Sequence, residues 1–119
     1  MRVLHPSDPN FVNTFVKYAN EHDSCLEEKD YSKRYRLNKT LLAMLMELKQ
    51  YENSEDIVEQ ILEARSDCAT LWISNFARTN HIYKEFVEAK LREIASEKCG
   101  ANNLMAWTLL NAKQKEGDK

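Results

Sequence analysis

Apolar residues recur along this chain at three- and four-residue steps and almost never alternate, so the pattern predicts helices and no strands. The clearest stretch runs from Asp30 to Tyr51, DYSKRYRLNKTLLAMLMELKQY, and holds neither Gly nor Pro. Within it Tyr31, Tyr35, Asn38, Leu41 or Leu42, Leu45 and Leu48 fall on one stripe, which reads as the buried face. From Leu41 to Leu48 the apolar positions spread round most of the cylinder, as expected of a helix covered on more than one side. Asp30 or Ser32 can accept a hydrogen bond from the free first-turn N–H groups. At about 1.5 Å per residue the element would span roughly 30 Å, so it is predicted to be the spine of the domain.

The rest of the chain follows the same period. Residues 1–9, with Pro6 and Pro9, should form an extended arm that tucks Val3 and Leu4 against the body. A first helix is predicted from Pro9 or Asn10 to Glu28, with Phe11, Phe15, Tyr18 or Ala19, His22 and Leu26 inward. Ser54, followed by Glu55 and Asp56, reads as the capping start of a third helix that buries Ile57, Val58, Ile61 and Leu62. Ser66-Asp67 caps a fourth with Cys68 or Ala69, Trp72, Ile73 and Phe76 inward, and Thr79-Asn80 breaks it and caps a fifth that runs to Lys98. Gly100 suits the left-handed position that closes a helix, Asn102 or Asn103 opens a sixth, and residues 113–119 form a charged tail expected to fray. The prediction is therefore an all-α domain of about six helices over residues 10–112.

Helices three to six read as two successive hairpins, with Trp72 and Trp107, and Ala77 and Ala112, at a common spacing of 35 residues, within the range of helical repeats. The run FVKYANEHDSCLEEKDYSKRYRLNK, then LLAMLMELK, an acidic helix and LREIASEKCGANNLMAWTLL resembles a small bacterial family of uncharacterised proteins with a HEAT/armadillo-like helical-repeat fold. The resemblance covers Phe11 to Leu110 and implies an α-α superhelix and a binding role, with no catalytic residues to carry over. Arg36 departs from the family's pattern in the run Arg34-Tyr35-Arg36-Leu37-Asn38. An irregular helical bundle is the alternative architecture.

Composition narrows the class. A chain of 119 residues is one domain with a core large enough to need no metal or disulfide. Three cysteines, Cys25, Cys68 and Cys99, do not make a disulfide framework, and no secretory leader is recognisable, which points to the cytoplasm. No apolar run approaches the ~20 residues of a membrane helix. The net charge of −2 excludes binding to nucleic acid through general positive charge, but the charges are segregated. From Lys29 to Lys39 five bases face Asp30 alone, whereas from Glu47 to Asp67 seven acids face only Lys49 and Arg65.

Candidate chemistry is sparse. His22-x-x-Cys25 puts two soft ligands on adjacent turns but lacks a second pair, so a helix-edge histidine and a buried thiol account for it better than a metal. Cys68 stands at a helix start, where the dipole could lower its pKa, yet it shares the inward stripe with Trp72 and reads as core. Glu27-Glu28 and Glu55-Asp56 are sequence neighbours that diverge on a helix and make no acid/base pair. No glycine loop cradles a phosphate, and no cofactor is implied. Lys29, Lys33, Arg36 and Lys39, interleaved with Tyr31 and Tyr35, could bind nucleic acid, but the tyrosines are assigned to the core stripe and a solvated face explains the cations.

The acids Glu52, Glu55, Asp56, Glu59 and Glu63, with Asp67 beyond them, would line one outer edge. A solvated face is again the ordinary explanation, but the one-sidedness of the run suits capture of a cationic protein. The sequence therefore suggests a non-enzymatic protein-binding module, most concretely an immunity or antitoxin protein that neutralises a basic toxin domain. The alternative is a nucleic-acid-binding module that uses the basic face of the second helix.

Overall fold

The computed structural model describes residues 2–97 and 103–117, with side chains to residue 111. Six helices carry it: α1 (Phe11–Glu28), α2 (Tyr31–Lys49), α3 (Ser54–Glu63), α4 (Asp67–Asn80), α5 (Lys84–Ala95) and α6 (Asn103–Gly117). The described residues hold no strand, so the fold is all-α. Lys98, Gly100 and Asn102, assigned above to the α5–α6 junction, lie outside the described residues, as does Cys99, and α6 continues as helix to Gly117, into the segment read as a tail.

Helix ends show how a chain with two glycines makes its turns. Lys29, Arg65, His81 and Tyr83 all take left-handed backbone, with φ of 58°, 58°, 53° and 59°, the region that favours glycine. Lys29 lets Asp30 N–H reach back to Cys25 C=O at 3.0 Å, and His81 lets Ile82 N–H reach Ala77 C=O at 3.1 Å, so both satisfy carbonyls orphaned at a helix end. Asp30 then caps α2 by accepting from Lys33 N–H, and Ser66 caps α4 by accepting from Ala69 N–H. Ser66 also donates to Asn20 Oδ1 at 2.9 Å, tying the α4 start to α1.

Two expected caps are replaced. Ser54 is the first residue of α3 and is buried, the N-cap position falls to Asn53, and no side chain caps the helix there. Thr79 and Asn80 bond back to Asn75 and Phe76 carbonyls inside α4, and the break falls at His81 to Tyr83 instead.

Packing centres on α1 and α4, and α2 is not the spine. α1 lies against α2, α3 and α4, and α4 touches α1, α3, α5 and α6, whereas α2 has one extensive partner, α1. Phe11, Phe15 and Ala19 of α1 are fully buried, with the two phenyl rings stacked at 6.4 Å, and Cys25 takes the inward place expected of Leu26. The N-terminal arm contributes Leu4, which is buried, while Val3 stays exposed.

The buried stripe of α2 differs from the expected one. Leu37, Thr40, Leu41, Met44, Leu45 and Leu48 face inward, whereas Tyr31 and Tyr35 are each 64% exposed, with Leu42 and Met46 also turned to solvent. Both stripes have helical spacing, but they differ in what else they carry inward. Turning the tyrosine stripe in would draw Lys39 and Lys49, which share that side of the wheel, towards the core along with two phenol hydroxyls. The observed stripe buries one polar group, Thr40, whose hydroxyl donates to Arg36 C=O at 2.9 Å.

Trp72 and Trp107 are likewise not equivalent. Trp72 packs against the core, whereas Trp107 is 58% exposed, so the common spacing does not correspond to a common packing role.

Two stability outcomes follow. In denaturant titrations of dilute protein, Leu41→Ala should cost about 2–5 kcal/mol while Tyr31→Ala stays within about 0.5 kcal/mol. Lys29→Gly should raise stability by about 1 kcal/mol, because it relieves a left-handed non-glycine residue.

Candidate functional site

The six acids proposed as one edge divide into two groups. Lys90, on α5, extends its stem across to α3 and is only 13% exposed at its side chain. Its ammonium lies 2.8 Å from Glu63, 3.8 Å from Glu59 and 3.7 Å from Glu93. The hydrogen bond from Lys90 and then its charge hold the Glu63 carboxyl below the usual carboxylate range, and the same bond raises the Lys90 ammonium. One turn further, Arg65 grips Glu97 with two bonds of 2.5 and 2.7 Å, which lowers Glu97. The carboxyl-terminal half of the α3 edge is therefore an α3–α5 clasp. Asp67 lies apart from it, and its charge acts with that of Asp23 on Cys68.

The amino-terminal half is different. Glu52, Glu55 and Asp56 are exposed and form none of the ion pairs recorded among the described residues. They stand on the rim of an open hollow of about 420 Å³, completed by Asn53, Ser54, Ile82 and Tyr83. A second hollow of about 380 Å³ shares Glu52 and Asn53 and adds His5, Glu47, Gln50 and Tyr51, with the His5 and Tyr51 rings edge to face at 5.8 Å. Neither hollow is lined by a lysine or arginine.

The floor of the first hollow is fixed by Tyr83, whose hydroxyl donates to Leu48 C=O at 3.3 Å and whose pKa is raised by burial. This corner can take a long cationic side chain: its stem would lie on Ile82 and the Tyr83 ring, and its head would meet Glu52, Glu55 or Asp56. Sequence reasoning counted Glu47 among the acids but not at the site, and it missed Ile82, Tyr83 and Lys90. The i, i+4 pattern places acids on a face but does not see an amine arriving from another helix.

The alternative set lies on α2 and the residue before it. Lys29, Arg36 and Lys39 are exposed and Lys33 is half-buried, and Lys39 sits over the Tyr35 ring at 5.3 Å from its centre. The objection that Tyr31 and Tyr35 are core residues is withdrawn by their exposure.

Between α2 and α4 runs a groove of about 350 Å³, lined by Leu42, Leu45, Leu71, Trp72 and Phe76 with Arg34, His22, Asp23 and Cys68 at its edge. His22 stands edge to face on Trp72 at 5.2 Å, and burial, then Arg34, lowers its pKa. Cys68 is shifted away from the reactive thiolate, first by burial and then by the charges of Asp23 and Asp67, contrary to the lowering that a helix start alone could give. Cys25 is buried, and no three His, Cys, Asp or Glu side chains converge as metal ligands among the described residues. None of the described helices is long and apolar enough to cross a membrane.

Comparison with known protein families, with curated proteins and with solved structures finds no match for this chain.

The clasp gives a pH dependence with a defined sign. A carboxyl lowered in the folded state adds stability above its unfolded pKa, and that stability is lost as pH falls through the folded value. Thermal midpoints followed from about pH 7 to about pH 3 should therefore fall less steeply for Lys90→Met, which keeps the apolar stem but not the charge, than for the unaltered chain.

Proposed function

We propose that this chain is a non-enzymatic protein-binding domain that captures a cationic partner at the acidic corner formed by the α2–α3 turn and the start of α3. The supporting observation is that Glu47, Glu52, Glu55 and Asp56 line two adjoining hollows with no lysine or arginine in either. Acids at a helix start are also favoured by the dipole, which is the ordinary reason for Glu55 and Asp56. The dipole does not account for Glu47 and Glu52, nor for the apolar floor of Ile82 and Tyr83 beneath the carboxylates. Uncompensated charge above an apolar floor suits docking of lysine- or arginine-bearing protein, since it both speeds encounter and fixes orientation.

The most concrete version is an immunity or antitoxin protein acting in the cytoplasm on a basic toxin domain, with Glu52, Glu55 and Asp56 as the central contacts. Glu59 and Glu63, held by Lys90, and the more distant Asp67 then contribute to the surrounding field rather than to direct contact. A HEAT-like stacking of helix hairpins would suit such a role, and the pairings α1 with α3, α3 with α5 and α4 with α6 are compatible with it, whereas α2 makes no comparable contact with α4.

The test compares two double charge reversals for binding to an immobilised arginine-rich peptide at low salt. Glu55→Lys with Asp56→Lys should weaken capture at least about tenfold, while Glu27→Lys with Glu28→Lys, exposed acids at the far end of α1, should change it by less than about threefold. Equal losses would reduce the corner to general acidity and remove the proposal.

The nucleic-acid reading has one observation in its favour, the exposure of Tyr31 and Tyr35 beside Lys29, Lys33, Arg36 and Lys39. It requires retention of a mixed oligonucleotide that weakens steeply with salt and with Tyr35→Ala.

A further inference from the structure

The groove between α2 and α4 has an apolar length and one cationic end. Both helices pack on α1 but make no extensive contact with each other, and between them lies Ala19, the smallest member of the buried row of α1. The two walls run in the same sense. At one end Arg34 of α2 bonds to His22 C=O at 3.3 Å, and the His22 ring stands on Trp72 of α4. At the other, Leu48 C=O accepts from the hydroxyl of Tyr83, three residues beyond α4. From Cys68 to Asn80 the groove follows α4 for about 18 Å. Along it Leu45 and Phe76 are buried in the core, while Leu42 and Leu71 remain 45% and 39% exposed.

Arg34 is the one lysine or arginine on this lining among the described residues, and it is half-buried. Its Nε is committed to His22 C=O, whereas its two Nη groups enter no ion pair among the described residues, not even with Asp23 on the same lining. His22, whose pKa is lowered first by burial and then by Arg34, stays largely neutral at pH 7 and adds no second cation. At the far end Thr79 and Asn80 have given their donors to the carbonyls of Asn75 and Phe76. The uncommitted charged donors of the groove are therefore those of one guanidinium, placed where the apolar walls begin. That fork matches a carboxylate, and the walls beyond it match an extended hydrocarbon.

We propose that this groove is a binding site for an amphipathic carboxylate with an unbranched apolar tail, the class of a medium-chain fatty acid. The Arg34 guanidinium takes the carboxylate, and Leu42, Leu45, Leu71, Trp72 and Phe76 take the tail. A volume of about 350 Å³ stands at the small end of ligand pockets, and its length suits a chain better than a compact ring system. Asp23, the one acid on the lining, is exposed and opposes an anionic head, so the preference for an anion comes from Arg34 alone. The site shares no residue with the acidic corner and does not rest on that reading.

Equilibrium dialysis of trace radiolabelled decanoate against rising concentrations of the chain at pH 7 tests this, with decanol as the uncharged probe. Decanoate should bind with a Kd below about 1 mM. Arg34→Met, which keeps an apolar stem, should weaken decanoate at least about fivefold and leave decanol within about twofold, and the retained decanol also shows that the fold survives. Leu71→Ser, at an exposed position, should weaken both probes at least about threefold, whereas Asp23→Asn should tighten decanoate. Failure of decanoate to bind below about 1 mM, or an Arg34→Met variant that keeps decanoate or loses both probes equally, would overturn the proposal. So would a Leu71→Ser variant that binds both probes as before, which would place the tail elsewhere. Weaker decanoate binding by Asp23→Asn would mean that Asp23 supports the head group, and would also overturn it. Self-association of the unliganded chain in sedimentation, without decanoate binding, would give the groove to a second copy instead.

Discussion

The interior is organised around one side of α1. Phe11, Phe15 and Ala19 are closed off by α2 on one flank and by α3 and α4 on the other, and each of those helices is oriented by what it presents to this row. Full burial of a phenylalanine removes well over 100 Å² from water, so two of them stacked in one row set the packing more firmly than any surface charge. The rotation of α2 follows from this requirement. An apolar stripe of Leu41, Met44, Leu45 and Leu48 joins the same core as that row at the cost of burying one hydroxyl, which finds a carbonyl on its own helix.

That choice was legible in the sequence, though only through its polar members. Two stripes on α2 have helical spacing, and apolar periodicity alone does not rank them; the lysines that would be carried inward do. Helix number, order and most boundaries follow from spacing and from the caps Asp30 and Ser66. The start of α3 falls at Ser54 as the spacing predicts, but Ser54 does not cap it, and the break expected at Thr79-Asn80 falls one to three residues later because both side chains bond back to carbonyls of their own helix. With glycine nearly absent, the left-handed positions fall to Lys29, Arg65, His81 and Tyr83, which no composition rule would single out.

The charged surface was half legible. A row of acids at three- and four-residue steps does lie on the outside of α3, but whether a carboxylate is an available contact or part of a clasp depends on a helix that begins two elements later. Lys90 takes up Glu59 and Glu63 and thereby moves the uncompensated charge to the opposite end of the helix, where Glu47 joins it from α2. The amine is visible in the sequence, but its placement is not.

Tyr83 adds an order of events. It closes the acidic corner from below by bonding to the last turn of α2, although it belongs to the chain just before α5. During synthesis the carboxylates of α3 leave the ribosome well ahead of the ring on which a bound side chain would rest. The corner thus acquires its floor only after the polypeptide has passed residue 83, so a nascent chain short of that point carries the charges without the receptacle.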